Sequence, residues 1–116
     1  MKVFEIIELL QGELITGEEL LDTEITSACG SDMMSDVLSY VKNQGLLLTG
    51  LTNPQSVRTA EMMDMHGVVF VRGKKPDQET IRLAKERDIV LIATSMPMFQ
   101  ACGLLYKNGL DEGVSK

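Results

Sequence analysis

Val68-Val69-Phe70-Val71 and Ile89-Val90-Leu91-Ile92-Ala93 are two wholly apolar runs, and Pro76-Asp77 between them opens a stretch of helical period. Each run ends abruptly, the first in Arg72-Gly73 and the second in Thr94-Ser95. Strands that are apolar on both sides are covered on both faces, as the strands of a parallel sheet are. In the intervening helix Thr80, Ile81, Leu83 and Ala84 share one arc, and Arg82, Lys85 and Glu86 the other. A strand, a helix and a strand joined by short links make a right-handed crossover.

The same grammar extends in both directions. Upstream, Leu46-Leu47-Leu48-Thr49 ends in Gly50, and Pro54 opens a helix predicted to run to about Met65. Thr23 to Ala28 reads as a further strand of β-favouring residues. Ser31 or Asp32 then caps a helix whose stripe is Met34, Val37, Leu38 and Val41, closed by Gly45. At the start, Val3, Ile6, Ile7 and Leu10 lie at helical spacing before Gly12, and Glu13–Thr16 reads as a short strand. Downstream, Pro97 starts a last helix with Met98, Ala101, Cys102 and Leu105 in phase, ended by Gly109. The pattern predicts one three-layer α/β/α domain with a mainly parallel sheet of about four to five strands. It occupies residues 1–110, with 111–116 as a loose tail. Strand order is not legible.

The chain has 116 residues, a net charge of −6, 44% hydrophobic and 24% charged residues. That composition fits one globular domain and argues against disorder. No apolar run reaches the length of a membrane span, and no secretory signal pattern opens the sequence. Residues 1–36 carry one base against nine acids, whereas residues 37–107 carry nine bases against six acids. An acidic chain with three Phe, two Tyr and no Trp lacks the basic face and stacking aromatics of a nucleic acid binder. Cys29, Cys102 and the single His66 are too few for a structural zinc site, and no metal or cofactor is expected. Both cysteines read as free thiols in a reducing cytoplasm.

No catalytic motif emerges. Gly73-Lys74-Lys75 lacks the first glycine and the hydroxyl of a phosphate loop, and no GxGxxG follows a strand. His66 precedes a strand, at the edge opposite to the one where open parallel sheets carry chemistry. No residue is therefore expected to be catalytic. The carboxyl ends of the strands offer Ser31, Thr49, Thr52, Asn53, Arg72, Gly73, Lys74, Thr94 and Ser95, a set of hydroxyls, helix amides and positive charges suited to an anion. The competing explanation is that Ser31, Asn53 and Ser95 only cap helices while the lysines are solvated. Cys29 lies near a helix start, where a thiol can become nucleophilic, although a buried apolar role is the commoner one.

Eight methionines are unusual for this length. In the helix after Pro54, Val57, Ala60 and Met63 share one arc, with Met62 and Met65 opposite. Apolar residues on two sides of a helix predict two packing partners: the sheet, and either a second subunit, which makes a homodimer the expectation, or loop residues or a neighbouring helix.

From Leu47 to Tyr106, and upstream through Ile6–Gly17 and Gly30-Ser31-Asp32-Met33-Met34-Ser35-Asp36-Val37-Leu38, the sequence resembles the DRTGG domain family. The shared pattern includes the Lys75-Pro76-Asp77 helix start and the closing unit from Ile89 to Phe99. The residues that name the family are mostly missing. Asn53-Pro54-Gln55 stands where its Asp-Arg falls, and Arg72-Gly73-Lys74 keeps only the central glycine of its Thr-Gly-Gly. The resemblance implies a fold like the N-terminal domain of HPr kinase/phosphorylase, and relatives among phosphotransacetylases and CBS-type pyrophosphatases. In such proteins the catalysis belongs to another domain, and a related fold in the Mur ligases binds a uridine nucleotide. Family members tend to self-associate. The expectation is a stand-alone, non-catalytic regulatory or sensory module that binds a small anionic or phosphorylated ligand, such as a nucleotide, at the carboxyl edge of the sheet. The alternatives are a pure interaction module docking on a metabolic enzyme and, third, a small thiol- or hydroxyl-dependent enzyme.

Overall fold

The structure is a computed structural model and describes residues 1–40 and 45–112. Its elements run α1 (Val3–Leu9), β1 (Glu13–Thr16), a short 3-10 turn (Glu18–Leu20), β2 (Ala28–Gly30), α2 (Met34–Tyr40), β3 (Leu46–Thr49), α3 (Pro54–Met62), β4 (Gly67–Phe70), α4 (Gln78–Glu86), β5 (Val90–Ala93) and α5 (Met98–Lys107). The five-stranded sheet has the order β1-β5-β4-β3-β2. β2 to β5 are parallel, and β1 runs antiparallel along β5 with Glu13 opposite Ala93. Val41 and residues 113–116 lie outside the described residues.

The strand order explains the layers. Three successive right-handed crossovers in one direction put α2, α3 and α4 on the same face. There Val37, Val57, Ala60 and Ala84 pack on Leu47, Val68, Phe70 and Leu91. The opposite face is covered by α1 and α5, whose Val3, Ile6, Ala101 and Leu105 pack on Leu46, Leu48, Val69 and Ile92. β3, β4 and β5 are buried throughout, as their unbroken apolar runs require.

Two boundaries differ from the sequence expectation. The strand expected at Thr23–Ala28 begins only at Ala28, and Glu24 and Ser27 make isolated bridges to Lys2 and Asp111. Ile25 is instead drawn under the N-terminal segment, fully buried, with its N–H donating to the Met1 carbonyl at 2.8 Å. Local β preference yields here to tertiary pairing. The helix expected to reach Met65 stops at Met62, because Asp64 takes a left-handed conformation (φ 55°). The Met65 N–H then reaches back to the Ala60 carbonyl at 2.8 Å, and Met65 turns into the core, 5% exposed. Met65 therefore does not extend a second apolar face on α3.

The same stop recurs three times. Gln11, Asp88 and Gly109 are left-handed after α1, α4 and α5, and Gly12, Ile89 and Leu110 donate back to Ile7, Ala84 and Leu105. These are Schellman closures, and after α4 and α5 the residue that follows the left-handed one, Ile89 or Leu110, is buried. Leu110 is consequently buried, and the backbone of Asp111 pairs beside Ser27 at the start of β2.

Candidate ligand site

Parallel strands β2 to β5 and antiparallel β1 bring Gly30, Thr49, Phe70, Ala93 and Glu13 to one edge of the sheet. After β4 the chain turns to α4 on one face, and after β5 it turns to α5 on the other. Neighbouring strands whose connections part in this way leave the crevice where open α/β sheets take ligands. A cavity of about 260 Å³ lies there, lined by Gln11, Gly12, Glu13, Gly73, Lys75 and Thr94 among others. Of the residues expected at the site, Gly73, Thr94 and Ser95 line it.

The loops at this edge are stitched together. Arg72 and Gly73 are both left-handed (φ 61° and 72°), and their N–H groups donate to the carbonyls of Met96 at 2.8 Å and Thr94 at 2.9 Å. The Thr94 hydroxyl is buried, donates to the Leu10 carbonyl at 2.8 Å and accepts from the Met96 N–H at 3.2 Å. Its polar atoms position the loop, so a ligand would meet the loop and not a free hydroxyl.

A second cluster forms across the ends of β2, β3 and β4. Asp32 accepts from the Gly50 N–H at 2.7 Å and from the Thr49 hydroxyl at 3.1 Å, and pairs with Arg72 at 3.3 Å. The Gly50 amide, then the Thr49 hydroxyl and the Arg72 guanidinium, hold the Asp32 carboxyl below its usual range against a partial burial that acts the other way. Gly50 leaves room for the Arg72 guanidinium, since a Cβ there would lie 2.0 Å from an Arg72 nitrogen and displace that group.

The remaining expected residues serve locally. The Ser31 hydroxyl accepts from the Met33 N–H at 3.0 Å, just ahead of α2. Asn53 caps α3 by accepting from the Gln55 N–H at 2.9 Å, and the Thr52 carbonyl accepts from the buried Thr80 hydroxyl at 3.1 Å. Ser95 does not cap α5, whose N-cap is Pro97 without a side-chain bond. Of the three cations at this edge, Arg72 pairs with Asp32 and Lys75 with Glu13, while Lys74 has no ion pair among the described residues. The edge is therefore less basic than its sequence suggests.

Sequence reasoning placed Asp32 at this edge without its bonds, and missed Glu13 there altogether. Asp32 was legible as a strand-end carboxylate, but its reach to Gly50 depends on β2 lying beside β3. Glu13 arrives only because β1 is antiparallel.

Cys29 is half-buried at the edge strand β2, and burial foremost, then the neighbouring Cys102 and Asp36, pushes its thiol up. A thiol so shifted is a weaker nucleophile at neutral pH. Among the described residues no cluster of three or more His, Cys, Asp or Glu could hold a metal ion, and no helix is long and apolar enough to cross a membrane.

Residues 5–107 match the DRTGG domain family. The chain belongs to that family. The fold also superposes on the crystal structure of the CBS and DRTGG domains of the regulatory region of Clostridium perfringens pyrophosphatase, complexed with its activator diadenosine tetraphosphate. The TM-score is 0.70 at 18% identity, over 99% of this chain and 50% of that one. This DRTGG chain thus spans about half the length of the structure it matches. No curated protein sequence matches it.

Proposed function

We propose that this DRTGG domain is a non-catalytic regulatory module that acts in the cytoplasm as a homodimer and binds a small phosphorylated ligand at the carboxyl edge of its sheet. The observation that carries the proposal is the cavity where the loops after β4 and β5 part, with Gly73, Ser95 and Lys75 on its wall. Lys74 beside it is unpaired among the described residues. Arg72 is held by a half-exposed carboxylate, which a phosphate can displace because an exposed ion pair is weak. The regulatory region of the similar pyrophosphatase is complexed with a dinucleotide activator. A nucleotide polyphosphate is accordingly the ligand class for this chain.

Thermal unfolding with ATP, ADP and diadenosine tetraphosphate tests the proposal. A ligand at about 100 times its dissociation constant adds about 2.7 kcal/mol, a clear rise in Tm. The rise is expected to fall sharply in Lys74→Ala and in Arg72→Ala. No rise with any of the three, or an equal rise in both variants, overturns the site.

A further inference from the structure

The face of the sheet that carries α1 and α5 is incompletely covered. Beside the edge strand β2 an apolar groove of about 350 Å³ runs along α5, lined by Ala28, Gly30, Cys102, Gly103 and Leu110. Two aromatic residues of α5 border it. Phe99 is 91% exposed and Tyr106 74%, the most exposed of the large hydrophobic side chains among the described residues. Two such rings left in water on one helix mark a surface that another surface covers.

We propose that this face of α5 is the contact between two copies of this chain, packed antiparallel about a two-fold axis that passes between Cys102 and Gly103. The inference rests on the homodimer proposed above and gives that dimer its surface. Three observations select a second copy as the occupant. The first is the spacing. Phe99, Cys102, Gly103 and Tyr106 lie at i, i+3, i+4 and i+7 on one stripe, large at the ends and small at the centre. A two-fold axis at the centre carries Phe99 onto Tyr106, so each Phe99 meets Tyr106 of the other copy. Isologous contacts require just such a self-complementary pattern. Gly103 at the crossing lets the helices approach, and a Cβ there would meet nothing within 4 Å of its own chain.

The second observation is charge. Two copies of a −6 chain repel, yet no Asp or Glu occurs from Ile89 to Leu110. The charges at the margin are mixed, with Lys107 at the end of α5 and Asp111 and Glu112 at the groove. The third is area. An aromatic side chain buries about 150–250 Å², so four rings supply on the order of 600–1,000 Å². A stable interface needs about 1,200 Å² or more, so the rings supply half or more of it.

Sedimentation velocity of the wild-type chain and three variants, from low to high micromolar concentration, tests the contact. Phe99→Glu places a charge at the seam, and Gly103→Leu fills the crossing point from a position where a Cβ meets no atom of its own subunit within 4 Å. Met62→Glu alters another exposed hydrophobic residue, 67% exposed, on the opposite face of the sheet. The wild type and Met62→Glu are expected to dimerise. The two α5 variants are expected to associate about thirtyfold more weakly or not at all, the loss that removal of a central anchor brings. Circular dichroism spectra like that of the wild type show that the variants fold. A wild-type chain that stays monomeric overturns both the dimer and its surface. A wild-type dimer that persists in Phe99→Glu and Gly103→Leu overturns the surface alone.

Discussion

The carboxyl edge of the sheet and the α5 groove lie on the same small domain and are built on opposite terms. At the edge, polar groups are numerous and nearly all engaged. Asp32 collects an amide, a hydroxyl and a guanidinium, and Lys75 is paired with Glu13. At the groove, apolar side chains are numerous, and the largest of them touch water. Polar groups left unmet inside a fold are costly, so the chain satisfies them within itself. Apolar surface carries no such local demand, and its burial can be completed by another molecule. A site rich in suggestive residues can thus hold most of them in its own bonds and leave a ligand only Lys74 and a small cavity, while a surface without a motif is left to another molecule.

The most forceful way to break this contrast is to remove Asp32. Asp32→Ala takes away the acceptor of the Gly50 amide and of the Thr49 hydroxyl, and frees Arg72. The expected loss is about 1–2 kcal/mol by urea denaturation at neutral pH, moderated by the half-exposed carboxylate. A change near zero would mean that the edge is held by backbone alone.

Acid sharpens the same point. The folded state lowers the Asp32 pKa, so its contribution is full above the ordinary carboxylate value of about 3.9 and fades as pH falls through the folded value. The stability gap between the wild type and Asp32→Ala is expected to hold from pH 7 to about pH 5 and to narrow below about pH 4. A gap that stays constant down to pH 3 would show that the carboxylate charge plays no part.

How much of this was legible depended on the range of the interactions. β3, β4 and β5 announce themselves because their residues are buried whatever their neighbours are. α4 announces itself by Pro76-Asp77, which opens it as expected, with the Asp77 carboxylate capping it by accepting from the Thr80 N–H at 2.8 Å. Glu13–Thr16 is too short to declare its partner, so the arrival of Glu13 beside Lys75 was hidden. Asp64 and Asp88 end their helices in a conformation that sequence reasoning assigns to glycine. Phe99 and Tyr106 were open to inspection, since both fall off the arc of Ala101 and Leu105 and stand seven residues apart. The methionines pointed instead to α3, and Met65, just beyond its end, is core.

Two glycines of the groove give the finest test of the contrast, because they border one cavity and meet different surroundings. A Cβ at Gly103 enters open space, whereas one at Gly30 would lie 2.6 Å from the Cys102 sulfur and 3.1 Å from that of Met98. Alanine in a helix is favoured over glycine by roughly 0.5–1 kcal/mol. Gly103→Ala is therefore expected to stabilise the subunit by about that amount, measured by thermal unfolding at concentrations low enough to keep the chain monomeric. Gly30→Ala obliges the Cys102 sulfur to move aside and is expected to destabilise the subunit. A loss in Gly103→Ala under those conditions would show that the subunit itself fills the space over Gly103. The groove would then be met from within its own subunit, as most polar groups of the carboxyl edge are, and the contrast between the two regions would be one of chemistry alone.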